Sequence, residues 1–153
     1  MINLKSGIVI FALLTASHFP MACADQNDPR LDQLFANLQT PLSDTAVVDI
    51  ENKIWTLWTN FPDDQKINNT MKTAIKMMEA GRLQTAESVF SLIIDRKPKF
   101  SEAWNKRATV RFMIGDLAGS TGDIAEVLKL EPRHFGALSG LGMIHMRTGN
   151  GKT

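Results

Sequence analysis

"EAGRLQTAESVFSLIIDRKPKFSEAW" (residues 79–104) and "MIGDLAGSTGDIAEVLKLEPRHFGAL" (residues 113–138) are two versions of one pattern. Laid over each other, they pair Gly81 with Gly115, Leu83 with Leu117 and Pro98 with Pro132, always 34 residues apart. Ile94 or Leu92 then meets Leu128 or its neighbours. The same step carries Gly115 to Gly149 and Ala108 to Gly142. A fixed period of this length in a helical sequence implies stacked units, each covering the apolar face that its neighbour leaves open. The residue types fit that reading. Ala86, Ala108 and Gly142 are small enough for helix backbones to approach closely, while Phe90 and Trp104 fill wider gaps. Gly81, Gly115 and Gly149 tolerate the positive φ that ends a helix. Pro98 and Pro132 fall just beyond a helix end, where a missing N–H does no harm.

Upstream of the repeat, Leu31, Leu34, Phe35 and Leu38 fall at i, i+3, i+4 and i+7, the stripe of an amphipathic helix. "TPLSD" (residues 40–44) breaks that helix, and Ser43 or Asp44 is placed to cap the next one. A second stripe follows through Val47, Ile50, Ile54, Leu57 or Trp58, and Phe61, with Trp55 widening its apolar face. "NFPDD" (residues 60–64) ends it, because proline cannot continue the hydrogen-bond ladder. Residues 31–61 therefore read as a helical hairpin. Nowhere does apolar and polar alternation suggest a strand.

The repeat resembles the tetratricopeptide repeat. The first copy supplies Gly81, Ala86, Phe90 and Pro98, and the second Trp104, Ala108, Gly115, Ile124 and Pro132. The third supplies Leu138, Leu141, Gly142 and Gly149. The departures are Ser120 for the usual alanine, Arg107 and Arg111 at apolar or aromatic positions, and Thr70 where tryptophan is expected. The resemblance implies an all-α, right-handed superhelical solenoid of antiparallel helix hairpins. Residues 25–62 would form an N-terminal cap, and residues 63–153 the repeats, at about 67–100, 101–134 and an incomplete 135–153. It also implies a protein-interaction module whose first helices line a concave face. The candidate peptide-binding residues on that face are Asn105, Lys106, Thr109, Phe112, Ser139 and Met143. Among these, Asn105 offers both donor and acceptor, and Lys106 could meet a carboxylate. More distantly, "EAWNKRATV" and "LEPRHFGALSGLG" resemble exported bacterial repeat proteins of the alphaproteobacterial type, for which no activity is assigned.

Residues 1–24 have the form of a secretory leader: Lys5, the apolar "GIVIFALL" (residues 7–14), and a small-x-small "ACA" (residues 22–24). The uncharged run contains Thr15, Ser17, His18 and Pro20, so it is a poor membrane span. Lipid attachment at Cys23 is the alternative, although Pro20-Met21-Ala22 lacks the usual aliphatic residue. The expectation is an exported, periplasmic protein. Cleavage after Ala24 removes Lys5 from the 17 basic residues and none of the 16 acidic ones, so the mature chain is formally neutral. It would carry no basic block for nucleic acid and no cysteine.

The remaining motifs do not point to chemistry. "RTGNGKT" (residues 147–153) hints at a phosphate-binding loop, yet Met146 stands where that loop needs its first glycine, and the stretch follows a helix instead of a strand. His134 and His145 lack the companions a metal site requires. Met77 and Met113 are expected to pack; Met78 and Met146 could instead line a groove, with core packing the favoured role for most of the methionines. Asp63-Asp64 and Glu126-Glu131 have no spacing suited to acid–base work. "NNT" (residues 68–70) is a glycosylation triplet relevant only to a eukaryotic secretory route. No cofactor, metal or catalytic residue is expected. The reading that follows is a non-enzymatic module binding a peptide or partner protein. The alternative is an assembly subunit that docks, or self-associates, through its last helix.

Overall fold

The computed structural model describes residues 28–40, 42–61 and 64–149. The expected leader, its cleavage site, Cys23 and the Asn150–Thr153 end of the loop-like motif lie outside the described residues. Seven α-helices, and no strand, make up the described chain. They are α1 (Pro29–Leu38), α2 (Asp44–Thr59), α3 (Gln65–Glu79), α4 (Leu83–Arg96), α5 (Ser101–Ile114), α6 (Leu117–Leu130) and α7 (Phe135–Thr148).

Helix starts follow from side chains that accept otherwise unpaired N–H groups. Asp28 accepts from Arg30 N, Ser43 from Ala46 N, Asp64 from Ile67 N and Asp116 from Gly119 N. Helix ends follow the 34-residue period. Gly81, Gly115 and Gly149 have φ of 72°, 90° and 73°, the left-handed region where a side chain is strained. At the first two, paired bonds close the last turn: Gly81 N to Met78 O with Arg82 N to Met77 O, and Gly115 N to Phe112 O with Asp116 N to Arg111 O.

The helices pair as α3 with α4 and α5 with α6, and α7 packs on α6 and α5. The first helices of successive units (α3, α5 and α7) lie side by side. One core, with Met71, Ala86, Phe90, Ile93, Phe100 and Ala103, joins α3, α4 and α5. A second, built on Ala108, Ile124, Val127, Ala137 and Ile144, joins α5, α6 and α7. The departures from the repeat pattern are compensated locally. Ser120 is buried and its hydroxyl donates to Ala108 O at 2.8 Å, holding α6 against α5 where the pattern has alanine. Arg107 grips buried Asp123 through two bonds of 2.9 and 2.8 Å and donates to Ser91. Arg111 bridges Glu87 on α4 and Asp123 on α6. Two arginines thus supply charged cross-ties between helices where apolar packing would otherwise be used.

The N-terminal hairpin does not simply close the end of the stack. Its own core is Leu31, Ile50, Ile54 and Trp58, and Phe135 from the start of α7 packs into it. Helix α2 lies on α5. Helix α1 is tied to the α6–α7 turn by Arg133, which donates to Asp32 at 2.7 Å and sits over the Phe35 ring. Among the methionines, Met78 packs beside Met77 against the first core, whereas Met113, expected to pack, is exposed. Met113 follows Arg111 and Phe112 in the last turn of α5; those two face α4, α6 and α7, while Met113 faces out.

Candidate functional site

Four of the six candidate groove residues converge. Asn105, Thr109 and Phe112 from α5 and Met143 from α7 line one recess of about 50 Å³ between adjoining first helices. Ala108, Ser120 and Ile124 form its floor, and Gly136 and Gly140 its α7 wall. Gly140 keeps the space open on the Ile124 side, and Gly136 lets Trp55 approach α7. A Cβ on Gly140 would lie 3.3 Å from the Ile124 methyl, and one on Gly136 would collide with the Trp55 ring at 2.7 Å. Thr109 is exposed, its hydroxyl donating to Asn105 O within its own helix. Ser139 is exposed on α7 and is not part of the lining. Arg147 covers the Phe112 ring from α7.

Lys106 has a different task from the one its sequence position suggests. Its ammonium lies 3.0 Å from Glu102 Oε1, one turn earlier on α5, and 5.2 Å from the Trp55 ring centroid. The carboxylate it meets is the chain's own. The contact is off the hydrogen-bonding direction, so it acts as charge pairing and leaves Oε1 without an aligned donor. Asn105 is 5% exposed, and its Nδ2 donates to Glu102 Oε2 at 3.0 Å.

Glu102 is the centre of this arrangement, and sequence reasoning passed over it. Both Glu102 and His134 are 0% exposed, with His134 Nε2 3.0 Å from Glu102 Oε2. The proton can be placed by elimination. His134 Nδ1 accepts the Ala137 N–H that opens α7, so Nε2 carries the hydrogen and donates it to the carboxylate. The imidazole stacks on Trp58 at 4.1 Å and 9°. Trp55 meets the Phe135 ring edge to face at 5.0 Å. One clue was available, since Glu102 and Lys106 stand at i and i+4 on a helix. A carboxylate–imidazole pair also begins many general-base constellations. This one is sealed under the hairpin, where no substrate reaches it. Its effect is to seat α2 across the starts of α5 and α7.

Burial raises the Glu102 carboxyl pKa, but the His134 hydrogen bond and the Lys106 charge outweigh it and hold it below its ordinary 4.5. A carboxylate with a depressed folded pKa contributes stability that is complete above 4.5 and lost as pH falls through the lower, folded value. Urea midpoints measured from neutral pH downward should therefore decline below that point. In Glu102→Gln the decline should be shallower, and equal slopes in the two proteins would contradict the assignment.

A curated relative, a TPR repeat-containing protein of Rhizobium etli, is 37% identical to the chain, over 90% of this chain and 73% of the relative. That coverage exceeds what residues 63–153 alone could supply, so the likeness extends into the N-terminal hairpin. No family model and no solved structure matches the chain.

Proposed function

Because the chain belongs to the tetratricopeptide-repeat family, a family of protein-interaction modules, we propose that it is an exported module holding a peptide segment of a partner against α5 and α7. The observation that carries this is the convergence of Asn105, Thr109, Phe112 and Met143 on one recess between adjoining first helices. Binding would be an equilibrium event, with no reaction assigned to it. The recess is a docking point for an extended or helical segment, whose remaining contacts would run along the exposed side of α5 and α7. The leader-like residues 1–24 support export. A reporter active only outside the cytoplasm, fused after residue 30, should become active, and a silent reporter would remove this part of the reading.

Thr109 supplies the test of binding. It is exposed at the mouth of the recess and bonds only within its own helix. Peptides enriched by the wild-type chain from a random display library should lose binding to Thr109→Arg, while the melting temperature stays the same. Retained binding would sink the reading.

A second reading rests on α7. Ala74 and Ala108, one period apart, are buried beneath α4 and α6, whereas a Cβ at Gly142 would meet nothing within 4 Å. Leu138 is 49% exposed and Met146 72%. We infer an assembly role in which this face pairs with its counterpart on a second copy, Gly142 allowing close approach. Sedimentation should then show a concentration-dependent dimer that Leu138→Glu disrupts. A monomer at all concentrations would dismiss it.

A further inference from the structure

The recess carries chemical information beyond its location. Asn105 has two branches. Its Nδ2 is committed to Glu102, and rotating the amide by a half-turn would set Oδ1 against that carboxylate. The orientation is thus fixed by a buried charge. Oδ1 accepts no hydrogen bond from any described residue, although the side chain is nine-tenths buried and lines the recess. The fully buried side-chain polar atoms without a partner among the described residues are Trp58 Nε1, Ser101 Oγ and Glu102 Oε1, so Asn105 Oδ1 keeps access to water, whose place a ligand donor can take.

The rest of the lining is almost entirely apolar. Ala108 and Ile124 lie below, Phe112 and Met143 beside, and the Gly136 and Gly140 backbone along the third side. The one hydroxyl on the floor, Ser120, is spent on Ala108 O. Lys106 points away, to Glu102 and Trp55. No cation is among the lining residues, and Arg147, which covers the Phe112 ring, donates to Phe112 O, so a carboxylate within the recess would be desolvated without a partner in its lining. Scaled to the roughly 150 Å³ of an apolar cavity that holds benzene, a recess of about 50 Å³ admits about two carbon atoms, the paired methyls at the tip of a branched side chain.

We propose that this recess is a side-chain socket, taking the branched tip of one Val, Leu or Ile side chain of a bound peptide while a neighbouring peptide N–H donates to Asn105 Oδ1. The proposal rests on the peptide-binding reading and adds what is selected: a small branched aliphatic group beside a hydrogen-bond donor, with acidic groups rejected. Gly140 on α7 sets the size limit, because a side chain there would crowd Ile124 and occupy the socket itself.

The test begins with the same random peptide library displayed on phage, selected against the full chain. Enriched peptides should share one position confined to Val, Leu or Ile. A synthetic peptide of that consensus is then titrated against two variants. Gly140→Ala adds one methyl to the socket in a residue that favours helix, and it should weaken binding about tenfold, as for a single misplaced methylene. Met143→Ala removes a half-exposed wall and should shift the preference to larger side chains such as Met or Phe. Methylating the peptide nitrogens one at a time should locate a single N–H whose loss costs a similar factor. A consensus without an aliphatic position, or with an obligatory acidic group, overturns the socket while leaving peptide binding intact. Indifference to both Gly140→Ala and methylation does the same. A selection that enriches nothing overturns the peptide-binding reading, and the socket with it.

Discussion

Glu102→Ala is expected to lower the unfolding free energy by about 3–5 kcal/mol, the range for removing one partner of a buried charge pair. The loss arises from what remains. His134 Nε2–H and Asn105 Nδ2 would both stay buried without their acceptor. Lys106 adds little to the cost, because its side chain is 21% exposed and its ammonium can turn to water. Glu102→Gln keeps an acceptor and should cost less, about 1–2 kcal/mol, chiefly through loss of the charge. Urea unfolding followed by circular dichroism measures both. Against a total stability of about 5–15 kcal/mol for a domain, the alanine variant would be marginal. If Glu102→Ala unfolded within 1 kcal/mol of wild type, the buried pair would not hold the hairpin in solution.

Trp58→Ala should have an effect of similar size, about 3–5 kcal/mol, typical of a fully buried aromatic replaced by a methyl group. Trp58 is completely buried, stacks on His134, and contacts Phe35, Trp55 and Phe135. It is the piece of α2 that enters the space between the hairpin and the repeats. Its indole N–H has no partner among the described residues, so Trp58→Phe, which keeps a stacked ring and discards that group, should cost less. The two variants also differ in where the damage appears. Hydrogen exchange in Trp58→Ala should rise across α1 and α2 first, while α3 and α4 keep their protection, since their core contains no residue of either helix. Equal loss of protection throughout would show that the repeats depend on the hairpin.

The array was legible in the sequence because its information is local and recurs. Gly81, Gly115 and Gly149 mark three helix ends, and all three adopt the left-handed conformation their spacing suggests. Ser43 or Asp44, between two apolar stripes, announces the start of α2, and Ser43 caps it. Four groove residues were legible for the same reason, since helical geometry decides which side of α5 and α7 they occupy. The seat of the hairpin was not legible. It depends on pairs such as Asp32 with Arg133, which are 101 residues apart and share no pattern that one sequence reveals. Lys106 illustrates the consequence: with Glu102 and Trp55 placed, its charge is used inside the molecule, and only the three-dimensional arrangement shows it. Gly136 and Gly140 read as weak points in a helix, and their value emerges only with Trp55 and Ile124 in position.

The tie between Arg133 and Asp32 changes how the chain should fold. A simple array of helical hairpins has contacts between near neighbours in sequence, and such chains fold quickly. Here a hairpin made early in the sequence finds its seat only after residues around 133 are in place, which closes a loop of roughly a hundred residues at an entropic cost that grows with loop length. Folding should therefore proceed from the repeats, with the hairpin docking last. Substitutions in α1 and α2 should accelerate unfolding and leave the folding rate almost unchanged, so the hairpin governs how long the folded state lasts more than how fast it is reached.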